Sequence, residues 1–444
     1  MTYSYKHLLI IIIAGIIIFI LGLLFAAVTR RILNARKYAA LDRYRESYRQ
    51  KLSHALRSNR VAVIIDDLRE RTLSLQWRAV EEVLLGQIAN SAYERDISRL
   101  FHQLGYRDYY EGKLKSKRAI TKAAAIDKLG KMLSESSTTS LVRILNTDED
   151  PEVLTVTVRA LCRIRGQEGL KGILERLPEL YAKSLVSQKT IEASLINFKA
   201  DAVPLLVTYG QKFDEPKIKA SLLKVLSHLP ATPLSFSFAA ANLSAYDAEV
   251  RARAIRVFGM HHSSTDVSHR ELLLPLLEDA VWFVRLQAAR ALEQLRYVRA
   301  VEHLGALLFD QNWQVRNAAA RALANIGDAS LEVFLNILKD RDRYAKESIC
   351  DEAQRTNLTQ RLIANLTGRN GEVYEKSREI LKIMHSLNFS TRLYDYLDKG
   401  KKDEIKQEIA LLLKETAGLR ESIHDARIKP GLPGAHRDRE GNKA

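Results

Sequence analysis

The stretch Asp279-Ala-Val-Trp-Phe-Val-Arg-Leu-Gln-Ala-Ala-Arg-Ala-Leu292 is followed, at an offset of 31, by Asp310-Gln-Asn-Trp-Gln-Val-Arg-Asn-Ala-Ala-Ala-Arg-Ala-Leu323. A supersecondary unit that repeats in register decides an architecture in a way that isolated motifs do not. The same frame recurs upstream at Asp247-Ala-Glu-Val-Arg-Ala-Arg-Ala-Ile255, Glu215-Pro-Lys-Ile-Lys-Ala-Ser-Leu-Leu223 and Asp150-Pro-Glu-Val153. With the Val of the Val-Arg pair as marker, the copies fall at Val153, a degraded Val186, Ile218, Val250, Val284 and Val315, with offsets of 33, 32, 32, 34 and 31. Lys117-Arg-Ala-Ile-Thr-Lys-Ala-Ala-Ala-Ile-Asp-Lys-Leu-Gly130 is an earlier, weaker copy.

Each unit is chemically legible. An Asp before the first helical turn accepts orphan backbone N–H groups and complements the helix dipole. Small residues such as Ala288, Ala289 and Ala291, or Ala319, Ala320 and Ala322, let a neighbouring helix approach, while Leu292, Leu295 and Leu323 supply buried area. A second apolar segment follows each first one, as in Leu272-Leu-Leu-Pro-Leu-Leu277 and Leu304-Gly-Ala-Leu-Leu-Phe309. Two helices per repeat of about 32 residues, stacked side by side, predict an all-α solenoid. Few prolines and glycines (9 and 20) in a chain of 444 residues, rich in Ala, Leu, Arg, Lys and Glu, agree and disfavour an all-β fold.

The formal charge of +16 invites a nucleic-acid reading, so its distribution matters. Residues 1–60 carry 11 basic against 2 acidic groups, a net +9; residues 427–444 carry +3; the remaining body of 366 residues carries only +4. The excess sits beside Leu8–Val28, an uncharged run of 21 residues. A helix of about 20 apolar residues crosses a hydrocarbon core, whereas a signal-peptide core is about 7 to 15 and follows its charges. The run therefore reads as a retained single span. Lys6 alone precedes it, while Arg30, Arg31, Arg36, Lys37, Arg43 and Arg45 follow, so the basic-residue bias predicts an inner-membrane protein with its N-terminus out and its body in the cytoplasm. Beyond the span, Leu41, Tyr44, Tyr48 and Leu52 recur at helical spacing, predicting an amphipathic continuation that packs on the body.

The expected organisation is an N-terminal segment and membrane helix (1–29, span 8–28), a basic juxtamembrane stalk (30–60), a helical spacer (61–116), the repeat array (117–355), C-terminal helices or a cap (356–426) and a disordered tail (427–444). Catalytic motifs are missing: there is no Gly-rich phosphate loop, His-Glu-x-x-His, Gly-x-Ser-x-Gly or kinase-like set. His261, His262, Asp266 and His269 cluster in a polar loop, where nothing fixes them on one rigid face as metal ligands. Cys162 and Cys350 read as small buried hydrophobes. No catalytic, cofactor-binding or metal-binding residue is assigned.

Arg251, Arg285 and Arg316 share one repeat position, which suits either an anion-binding row or a structural ladder with Asp247, Asp279 and Asp310 of the same or neighbouring repeats. Trp282 and Trp313 lie three residues before Arg285 and Arg316, so cation–π packing at the repeat edge competes with a role as interface anchors. Residues assigned to a partner are Trp282, Arg285, Trp313, Arg316 and Tyr344.

With its Asp, Val-Arg pair and Ala-Ala-x-Ala-Leu run, the array resembles HEAT repeats of the short, phycobilisome-lyase type across residues 117–355. The membrane span, the Leu114-Lys-Ser-Lys-Arg118 approach, the two Trp-bearing repeats and Asp340-Arg-Asp-Arg-Tyr-Ala-Lys-Glu347 give a layout similar to bacterial membrane-anchored HEAT-repeat proteins. That resemblance implies a gene often found beside a family 2 glycosyltransferase and envelope-polysaccharide functions. The expected function is a non-enzymatic, membrane-tethered scaffold that binds a protein partner, such as a membrane glycosyltransferase or another envelope component, without a cofactor or small-molecule substrate. A nucleic-acid-binding solenoid is the alternative, disfavoured by the +4 body, and a lyase acting on a tetrapyrrole–protein bond ranks below it.

Overall fold

The computed structural model describes residues 2–58, 61–88, 92–367 and 371–427, with side chains from Gly15 to Thr416 apart from Val61 and Ala62. The expected disordered tail lies, but for Arg427, outside the described residues. Among the described residues every regular element is helical, and the fold is an α-solenoid built from helical hairpins. The chain divides into two compact units, Met1–Phe198 and Lys199–Ala444. The boundary falls at Lys199, whose φ of 57° breaks the helical path within Ile196–Ala202.

In the first unit one helix, Thr2–Arg57, runs unbroken for 56 residues, about 84 Å at 1.5 Å per residue. Its two ends obey different rules. From Gly15 to Ala39 every side chain is exposed, including Ile16–Leu21, Phe25 and Val28. From Leu41 onward the expected stripe turns inward: Leu41, Tyr48 and Leu52 are buried and Tyr44 packs against them. They meet Trp77, Val80 and Leu84 of helix Leu75–Gln87, then Leu100, Phe101 and Tyr106. Trp77 stacks on Tyr106 at 4.3 Å between centroids, and the Tyr106 hydroxyl donates to the Trp77 carbonyl at 2.6 Å. The buried Glu81 carboxylate is satisfied by the Tyr110 hydroxyl at 2.7 Å and the Lys128 ammonium at 3.0 Å, as a buried charge requires.

Helices Ala119–Lys131 and Pro151–Ile164 then pack side by side. Their approach is so close that a Cβ at Gly130 would lie 2.6 Å from Ala160, so this crossing needs glycine. Asp150 caps the second helix, accepting from the Glu152 and Val153 amides, and Pro151 takes the first helical position.

In the second unit the first helices of successive repeats form a row: Pro216–Leu226, Ala248–Met260, Trp282–Gln294, Trp313–Ile326 and Arg343–Arg355, each packed on the next. The alanines do what their size suggests, since Ala288, Ala289, Ala319 and Ala320 are wholly buried between helices. The intervening segments are shorter than the sequence pattern implied. Leu272–Leu277 follows the short helix Val267–Glu271 as a turn that leads into the 3₁₀ turn Pro275–Glu278, and Leu304–Phe309 ends in the 3₁₀ turn Leu307–Phe309. Beyond residue 355, helix Glu372–Ser386 packs on Leu358–Asn365 and on Asp403–Arg427, where Arg378 pairs with Glu408 and Glu415 at 2.9 and 2.6 Å.

The degraded marker Val186 needs correction. It is buried in the loop before helix Gln188–Leu195, whose N-cap is Ser187, so the marker position falls at Thr190 and the regular offsets of 33 and 32 do not hold there.

Candidate functional site

The candidate site lies on the second unit, along the edge formed by the N-termini of its first helices, where the spacing of the repeat places one Arg on each of three successive helices. Arg251, Arg285 and Arg316 each fold back on the loop that precedes their own helix. Their Nη1 atoms donate to the carbonyls of Ala245 and Tyr246, of Asp279 and Ala280, and of Asp310 and Gln311, at 2.7–3.3 Å. The other side of the guanidinium faces the next repeat. Arg251 Nε and Nη2 donate to Asp279 at 2.7 and 2.8 Å, and Arg285 Nε and Nη2 to Asp310 at 2.6 and 3.0 Å. Such forked pairs are the strong form of the charge-assisted hydrogen bond.

Asp279 and Asp310 are almost fully enclosed and also accept the Val281 and Asn312 amides at 2.9 and 2.8 Å. Burial alone would raise their carboxyls; the arginine and backbone hydrogen bonds outweigh it and hold both below the ordinary aspartate value. Their partners Arg251 and Arg285 are raised, first by those same hydrogen bonds. In the first unit Lys122 takes the equivalent place, reaching Asp148 at 2.6 Å while Asp148 accepts the Asp150 amide at 3.0 Å.

Three expectations change. The ladder joins neighbouring repeats only, and Asp247 is not in it: Asp247 caps helix Ala248–Met260 through the Val250 amide, two residues later in the frame than Asp279 and Asp310. Those two are not helix N-caps either, a role that falls to Val281 and Asn312. The expected Trp–Arg stacking is replaced. Trp282 sits edge-on to Phe283, and the ring over the Arg316 guanidinium is Tyr344, 5.9 Å from its centroid.

The assigned partner residues thus separate into two kinds. Arg285 is committed to Asp310, whereas Trp282, Trp313 and Tyr344 are 39%, 61% and 68% exposed. Phe309, read from sequence as part of an apolar helix, and Tyr246 are exposed at the same edge. Their positions immediately before and after the loop residue that accepts from the Arg were the signal that could have found them.

Elsewhere the chemistry is structural. His269 Nδ1 lies 2.6 Å from Asp266, whose carboxylate caps its helix, and the His269 ring packs on Phe236 and Phe258. Among the described residues no group of three or more His, Cys, Asp or Glu stands close enough to hold a metal. Burial pushes the Cys350 thiol up to about 12 and raises that of Cys162, which leaves both protonated and inert.

Residues 237–311 match the HEAT repeats family and residues 300–330 match a single HEAT repeat. No curated protein sequence matches the chain. Among solved structures it is similar to an engineered protein, with 20% identity over 80% of this chain and 98% of that one and a TM-score of 0.35. It is also similar to Kap121p bound to Nup53p, with 11% identity over 83% of this chain and a TM-score of 0.43, although it spans 49% of that chain. Human deoxyhypusine hydroxylase in complex with glycerol matches with 20% identity, 69% and 100% coverage and a TM-score of 0.24.

Proposed function

We propose that this HEAT-repeat chain is a non-catalytic scaffold, tethered to a membrane by its N-terminal helix, that binds a protein partner along the aromatic and arginine edge of its second unit. The observation that carries the reading is the run of exposed Trp282, Phe309, Trp313 and Tyr344 on successive repeats. Large aromatics beside an Arg are the residues that anchor protein interfaces, and a soluble surface gains nothing from leaving them in water. The tether rests on a helix long and apolar enough to cross a membrane, whose most apolar window has a mean hydropathy of 2.3 and no buried part. Basic residues after the span favour a cytoplasmic body, and the layout shared with membrane-anchored HEAT-repeat proteins extends the proposal to a partner in an envelope-polysaccharide system, such as a membrane glycosyltransferase.

A photo-crosslinking residue placed at Trp313 in the full-length protein, activated in intact cells, tests the reading. One defined protein adduct recovered from the membrane fraction is the expected result. Crosslinking to no protein, or release of the chain into the soluble fraction, overturns it. A reporter fused to the C-terminus that is active only outside the cytoplasm would reverse the orientation.

A further inference from the structure

The ladder of the second unit has two closed rungs and one open one. Arg316 repeats every feature of Arg251 and Arg285 on its own side: the same place in the helix and the same two carbonyls under Nη1. Across the gap, Asp340 stands where Asp279 and Asp310 stand, and it too accepts the amide two residues on, from Asp342 at 2.8 Å. Yet Asp340 is exposed and Arg316 Nε is buried without a hydrogen-bond partner. The approach to the turn differs. Asp279 and Asp310 follow 3₁₀ turns with ψ of 141° and 145°, whereas Asp340 follows the regular helix Leu331–Lys339 with ψ of 170°. Tyr344 lies over the guanidinium that its register mates fill with a carboxylate.

We propose that Arg316, beneath the exposed Tyr344 ring, receives a carboxylate from an extended segment of the partner protein, an Asp or Glu flanked by apolar residues. This deepens the scaffold reading and rests on it. The occupant is argued from charge and from register. The same guanidinium geometry takes a forked carboxylate at the two preceding rungs, and the adjoining segment 339–347 adds Lys339, Arg341, Arg343 and Lys346 against Asp340, Asp342 and Glu347. Phe309, exposed next to the Asp310 carbonyl that Arg316 binds, and Trp282, exposed on the preceding repeat, offer apolar surface for the residues next to the carboxylate. A segment bound there would continue the ladder from outside, supplying the acceptor that the chain itself withholds.

The full-length protein in detergent is panned against displayed random peptides, and the best peptide is synthesised with its acidic residue intact or changed to the amide. Enrichment of peptides with Asp or Glu beside an aromatic or aliphatic residue is expected. Amidation should weaken binding to the wild-type protein by roughly tenfold, the scale of one forked charge-assisted pair, and should cost nothing further against Arg316→Gln. Arg316→Lys, which keeps the charge without the fork, should fall between, and Asp340→Asn should bind like wild type. Peptides without a carboxylate preference, binding indifferent to Arg316→Gln, or no enrichment would each overturn the assignment. So would a short duplex DNA bound with the same dependence on Arg316. The crosslink at Trp313 decides the scaffold reading separately, because it requires a neighbour but no carboxylate.

Discussion

Helices Ala248–Met260 and Trp282–Gln294 on one side, and Trp313–Ile326 with Arg343–Arg355 on the other, are built from the same repeat but finish it differently. In the first pair a carboxylate from the following repeat completes each guanidinium; in the second the guanidinium keeps its internal bonds and its Nε stays without an acceptor beneath an exposed tyrosine. The lesson is that a repeat position is not a role. Arg251 and Arg285 are structural because their neighbours are placed to use them, and Arg316 becomes available because its neighbour is not.

Removing the carboxylate of a closed rung gives the largest effect. Asp310→Ala strands the Arg285 guanidinium in a partly enclosed site, and should lower unfolding free energy by about 2–4 kcal/mol in denaturant titrations followed by circular dichroism. Equal loss on Asp340→Ala would break the contrast. Acid should act on the same groups. Because Asp279 and Asp310 lie below their ordinary value in the folded chain, their contribution is complete above the unfolded value of about 3.9 and is lost as pH falls through the lower folded value. Thermal melts should therefore drop below about pH 4 in the wild type and less steeply in the double variant Asp279→Asn, Asp310→Asn. Arg316→Gln removes its two carbonyl hydrogen bonds and the contact under Tyr344, and should cost about 1 kcal/mol. The smallest stability effects, within about 0.5 kcal/mol, are expected for Asp340→Asn and Trp313→Ala, both at exposed side chains. For Trp313→Ala the loss should instead appear in recovery of the bound partner.

Much of this was visible in the residues alone. Ala-rich faces, Val at the marker positions and Leu at the helix ends report the local demand of one helix packing on another, and each lies buried as that demand requires. The stripe Leu41, Tyr44, Tyr48 and Leu52 was legible for the same reason, since helical spacing puts all four on one face. Asp247 misled because an Asp suits both an N-cap and the loop position two residues earlier, and identity alone does not choose between them. Phe309 misled because an apolar residue at the end of an apolar run reads as core until a 3₁₀ turn rotates it outward.

Composition and period by themselves determined that the chain is helical, that it is a stack of hairpins, and that its positive charge belongs beside an apolar helix and not to the array. Those properties follow from which side chains a helix can bury against its immediate neighbour. Only the tertiary structure decided which carboxylate meets which arginine. That depends on the path of the loop between repeats, where ψ is 141° and 145° at the closed rungs and 170° at Asp340, and it is the difference between a rung that holds the solenoid together and one left without its acceptor.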